Sequence, residues 1–136
     1  MNWFVYSTVA AILLSAHFLL LKKAALSGIS LSLLMMYMWL FASFALLVYQ
    51  TSISQLSIPI NLVWLVALAT ITALAGTFLL NLGVYKAPNP GYATAVGSLQ
   101  VLIVIISSTL IFGSDFTSIK VVGSIFVIAG IFMLGV

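Results

Sequence analysis

The sequence predicts an all-α integral membrane protein, a bundle of five transmembrane helices, and three observations carry that prediction. Hydrophobic residues make up 65% of the chain and charged residues only 4%, too few to solvate a water-soluble domain. Mean hydropathy is +1.39 over the whole chain, so the apolar character is not confined to one segment. Five apolar segments meet or approach the roughly 20 helical residues that a hydrocarbon core of about 30 Å requires.

The first expected span covers residues 3–21 and is closed by Lys22 and Lys23. Its start, MNWFVYST, lacks a basic leader, and its end lacks a small-residue cleavage site, so this span is expected to stay in the mature protein. The connector AALSGIS leads to a second span over residues 31–49, and QTSISQLSIP leads to a third over residues 60–85. Pro88 and Pro90 lack amide donors and push Ala87 and Asn89 out of the α region, so the third helix must end near Tyr85 or Lys86. Pro90 then suits the first position of the fourth helix, with Asn89 as its cap. That fourth span covers residues 90–112. GSDFTS turns the chain into a fifth span over residues 119–136, and residues 1–136 read as a single transmembrane domain.

An odd number of spans puts the termini on opposite sides of the membrane. Lys22, Lys23 and Lys86 fall opposite the N-terminus, whereas Lys120 and Asp115 share its side. The positive-inside rule makes the three-lysine side cytoplasmic and the N-terminus external. The margin is small, and a chain with so little charge bias is able to insert both ways.

Each span has a stripe that is smaller or more polar than the rest. The third carries Thr70, Ala73, Thr77 and Asn81 at helical spacing, followed by Tyr85; the fourth carries Asn89, Ala93, Gly97, Gln100, Val104 and Ser107. The second contributes Ser32, Met36, Trp39, Ser43 and Gln50, and the first Thr8, Ala11 and Ser15. Gly97, Gly123 and Gly130 are expected to serve helix packing, as small residues do between membrane helices. Gln100 lies near the midpoint of its span, where an unpaired amide costs several kcal/mol, so it must face protein or water. Trp39 sits at similar depth, away from the interfacial belt, as a pocket wall or a lipid-facing position. Trp3, Trp64, Tyr6, Tyr49 and Tyr85 read as belt anchors near span ends.

Several chemistries are disfavoured. The only acid, Asp115, is in a loop, so a carboxylate relay for cations has no intramembrane group to use. Apart from tyrosines and Lys120 at the very start of the fifth span, His17 is the only titratable group inside a span; it can gate, bind substrate or exchange a proton near neutral pH, or simply bond to a neighbouring carbonyl. One histidine without cysteine or an intramembrane acid does not make a metal site. No nucleophile, base and orienting group can be assembled, so neither an enzyme nor a cofactor is expected. Four basic residues are too sparse for a nucleic-acid surface.

The five tight spans, with APNPGYATAVGSLQ opening the fourth and LIFGSDFTSIKVVGSIFVIAGIFML running through the last turn and span, resemble the EamA-type half of the drug/metabolite transporter superfamily. LKKAAL at the end of the first span agrees with it. Gly113, Gly123 and Gly130 match the family's pattern, whereas Ser114 stands where an acid is usual, with Asp115 beside it, and a common proline near Gln100 is absent. The resemblance implies two halves of inverted topology enclosing a central pathway that opens to each side in turn, a plan general among transporters. In the related small multidrug exporters a first-span glutamate binds substrate and proton; here that position falls at Ser15.

These readings converge on an expectation. The chain is a secondary transporter or facilitator of a small polar, largely uncharged metabolite, working by alternating access as an inverted dimer in a prokaryotic plasma membrane. Its substrate pathway would use Ser15, His17, Trp39, Thr77, Asn81 and Gln100. Membrane lipid, a small-molecule substrate and an antiparallel copy of itself, or a second half encoded elsewhere, would be its partners. The alternatives are a subunit of a lipid-linked sugar flippase and a non-transporting membrane partner subunit.

Overall fold

The computed structural model describes residues 3–53, 57–113 and 117–135; Ser114 and Asp115, and the side chains of Trp3 and Lys120, lie outside the described residues. Among the described residues every regular element is helical: α1 (Trp3–Leu26), α2 (Leu31–Ser52), α3 (Val63–Lys86), α4 (Pro90–Gly97), α5 (Leu99–Phe112) and α6 (Ser118–Gly135), with a 3₁₀ turn Ile60–Leu62 leading into α3. Among the described residues four helical stretches are long and apolar enough to cross a membrane: Phe4–Leu26, Leu31–Ser52, Ile60–Lys86 and Pro90–Phe112. A shorter apolar stretch, Val121–Gly130, lies within α6. The protein is therefore an all-α, multi-pass membrane protein.

The helix ends follow from local chemistry. α1 continues past Lys22 and Lys23 to Leu26, because lysine is a good helix former and is favoured at the negative end of the helix dipole. What stops it is Gly28, at φ 80°, with the Ile29 amide donating to the Ala24 carbonyl at 3.3 Å and the Gly28 amide to Ala25 at 3.1 Å. That is the paired bond pattern of a glycine-terminated helix. Ser30 then caps α2, its hydroxyl accepting from the Leu33 amide at 3.4 Å. Asn89 caps α4 by accepting from the Gly91 amide at 2.8 Å, with Pro90 in the first turn. Gly113, at φ 64°, ends α5.

The fourth span is interrupted at Ser98, between α4 and α5. The Ser98 amide is shared between the Thr94 and Ala95 carbonyls, its hydroxyl donates back to Thr94 at 3.1 Å, and the Val101 amide donates to the Ser98 carbonyl at 2.9 Å. The tightened turn needs no proline; a Gly97–Ser98 pair with a back-bonding hydroxyl suffices to bend a helix.

The chain forms two compact units, one ending at Tyr85 and one beginning at Lys86. In the first, the Lys22 ammonium donates to the Tyr85 carbonyl at 2.9 Å and so ties the end of α1 to the end of α3. The buried side chains gather at this same end: Leu21 from α1, Leu31 and Met35 from the start of α2, Asn81 and Val84 from the end of α3. In the second unit α4 packs on α6, and α5 also touches α6. Large apolar side chains are exposed along every helix, Ile12, Phe41, Leu79 and Phe126 among them, as suits surfaces that meet lipid.

Candidate functional site

Several hydroxyls along the helices bond within their own helix. Thr8 donates to Phe4, Ser15 to Ala11, Thr70 to Val66, Thr72 to Leu68 and Thr109 to Ile105, each to a carbonyl of its own helix at 2.8–2.9 Å. This removes the penalty of an unbonded hydroxyl in hydrocarbon without calling on another helix. A hydroxyl satisfied in this way needs no partner, and exposed Ser15 is one of these.

Asn81 is different. It is 1% exposed, and neither its Oδ1 nor its Nδ2 has a hydrogen-bond partner among the described residues. One turn further along α3 the Tyr85 hydroxyl is also buried without a partner. Tyr85 is thus not placed as a belt anchor with its hydroxyl in the interface. Trp64, Tyr6 and Tyr49, by contrast, are about 60% exposed, as an anchor would be.

An open groove of about 410 Å³ lies between α2 and α3. Ser32, Met35, Met36 and Trp39 form one wall, and Leu74, Ala75 and Phe78 the other. Leu74, Phe78, Asn81 and Tyr85 follow one another at intervals of four, three and four residues, which places them on a single face of α3. The groove wall and the two unpartnered polar side chains therefore belong to one continuous stripe. Apart from the Ser32 hydroxyl and the Trp39 indole N–H, the groove-lining side chains are apolar.

Of the residues expected to line a pathway, Trp39 lies in the groove wall and Asn81 lies on the adjoining buried stripe, with half-buried Thr77 one turn before Asn81. His17 is half-buried on α1, one turn before the buried Leu21, with its ring 5.3 Å from that of Phe18. Neither Ser15 nor His17 lines the groove. Gln100 belongs to the second unit, two residues past the break at Ser98, and is exposed. A Cβ built at Gly123 or Gly130 would meet nothing within 4 Å, so no close helix contact among the described residues depends on them.

The sequence reading passed over Met35, Leu74 and Phe78, whose apolar side chains are indistinguishable in sequence from lipid-facing ones. It also read Lys22 only as a topology signal. The available sign was its position, one turn before the helix stop, where an ammonium can reach the last carbonyls of a neighbouring helix. Among the described residues no three histidine, cysteine, aspartate or glutamate side chains come together as a metal site.

A family model, that of the EamA-like transporter family, matches residues 1–136. No curated protein and no solved structure gives a significant match to the chain.

Proposed function

The chain belongs to the EamA-like transporter family, and we propose that it is a secondary transporter or facilitator of a small, largely uncharged polar metabolite, working by alternating access between two inverted protomers. The observation that carries this reading is Gln100. It stands near the midpoint of the stretch Pro90–Phe112 and is exposed in the single chain. An amide facing hydrocarbon at that depth costs several kcal/mol, whereas one facing a second protomer or a water-filled path is satisfied. Exposure at mid-depth therefore supports a complex in which this face of the helix is covered or lines a pathway.

The uncharged substrate class follows from the donor set. The helices present hydroxyls, amides, one imidazole and tyrosines, with lysines only near their ends and no carboxylate; the sole acid, Asp115, precedes α6. Ion pairing with a cation inside the membrane has no group to rest on. Hydrogen bonds from Thr77, Asn81 and Gln100, stacking on Trp39, and exchangeable bonds at Ser15 and His17 would carry recognition. We assign the protein no catalytic activity, in keeping with a transporter family, and place it in a prokaryotic plasma membrane.

A second reading draws on the groove. An apolar, laterally open surface between α2 and α3 suits an amphiphile such as a lipid-linked sugar. The third reading, a non-transporting partner subunit, requires Gln100 bonded to protein in a closed interior once the partner is in place.

The test is uptake of a panel of neutral polar solutes, such as glycerol, monosaccharides and amino-acid amides, into proteoliposomes of the purified protein. Gln100→Ala and Trp39→Ala are each expected to lower the uptake at least severalfold. Unchanged uptake in both variants would remove this pathway assignment.

A further inference from the structure

We infer that Asn81 and Tyr85 form a hydrogen-bonding subsite at the buried end of the α2–α3 groove, and that groove and subsite together take an uncharged amphiphile. Its apolar body would lie against Trp39, Met35 and Phe78, and its hydroxyl or amide end would bond to Asn81 and Tyr85. The inference rests on the transport reading and narrows its substrate class.

Three observations carry it. Asn81 is fully buried with donor and acceptor both unmet, and the Tyr85 hydroxyl is unmet beside it, whereas the serine and threonine hydroxyls described above bond to their own helix. Native proteins leave few buried polar groups unpaired, so such a pair marks a place for a polar guest. Second, Leu74 and Phe78 of the apolar wall share one face of α3 with Asn81 and Tyr85, which follow about one and two turns further along the helix. Third, a volume of about 410 Å³ lined by a tryptophan, a phenylalanine and two methionines is of ligand size and suits an adaptable apolar body.

The uncharged end follows from the surroundings. No carboxylate lines the groove, so a cation finds no counter-charge. The Lys22 ammonium donates to the Tyr85 carbonyl and keeps its charge, so an anionic end is the competitor that the bromooctanoate probe below measures. An Asn81 amide offers both donors and an acceptor, and a tyrosine hydroxyl offers one of each, the set that a hydroxyl or amide group complements.

The experiment is tryptophan quenching in phosphatidylcholine nanodiscs. A W3F/W64F background leaves Trp39 as the only one of the three tryptophans, so bromine quenching reports occupancy of the groove. Three probes are titrated: bromooctanol, bromooctane and bromooctanoate. Bromooctanol is expected to quench saturably at about five- to tenfold lower membrane concentration than bromooctane, the gain of one to two hydrogen bonds. Asn81→Leu should abolish that preference and Tyr85→Phe should reduce it; the second variant removes only a hydroxyl and so guards against a folding artefact in the first. Equal quenching by alcohol and alkane would mean that the polar atoms hold only water, and would overturn the inference. Tighter binding of bromooctanoate than of bromooctanol would overturn the uncharged class. Quenching requires no flux: binding without transport would refute the functional reading alone, and transport without hydroxyl-selective binding would refute the subsite alone.

Discussion

Asn81 concentrates the local imbalance of the chain. Its amide is fully buried with no partner, and an unmet buried polar group costs about 1–3 kcal/mol. Asn81→Leu replaces it with an apolar side chain of similar size, so the ligand-free protein should gain about 1–3 kcal/mol of stability while losing hydroxyl selectivity. Reversible unfolding in mixed micelles measures this, and a loss of stability would show that the wild-type amide has a bonded partner. Asn81 was legible as a candidate because it sits at helical spacing from Thr70, Ala73 and Thr77. Tyr85 was not: a tyrosine at a span end looks the same whether its hydroxyl reaches the interface or turns inward, and only packing decides.

Helix ends show where sequence rules sufficed. Asn89 and Pro90 announce the start of α4, and the observed cap bond of 2.8 Å is the one those residues require. Asn89→Ala should cost about 0.5–2 kcal/mol. Thermal unfolding of the variant in detergent checks it. Lys22 and Lys23 close the expected hydrocarbon span without ending the helix, whose stop belongs to Gly28. Nothing lies within 4 Å of a Cβ placed there, so Gly28→Ala should cost only the left-handed backbone penalty of about 1–2 kcal/mol, with Gly28→Asn milder. The break at Ser98 escaped the sequence reading because a single apolar span was expected and no proline flagged it. Lys22 links elements, and its bond to the Tyr85 carbonyl is charge-assisted. Lys22→Met should therefore lower stability by about 1.5–3 kcal/mol, well beyond the effect of the same change at exposed Lys23. Equal effects of the two variants in the unfolding assay would deny the link between α1 and α3.

For the whole molecule, membrane class and helical fold were legible in composition and span length alone, since hydropathy reports which segments lipid can accept. The groove was only half legible. Ser32, Met36 and Trp39 stood out at helical spacing on the second span, but the opposite wall of Leu74, Ala75 and Phe78 has no signature distinct from lipid-facing residues. The proposed assembly is motivated by Gln100, exposed at mid-span, and by Gly123 and Gly130, where an added Cβ would meet nothing within 4 Å among the described residues. An inverted second copy would cover such faces and complete a two-halved pathway. The lysine distribution, three on one side against one on the other, is slight enough to permit both insertions. The central claim is thus tested most directly by the orientation of both termini in intact cells, read with tags that report cytoplasmic or external location. The account predicts comparable populations in the two orientations; a single orientation would contradict an inverted homodimer.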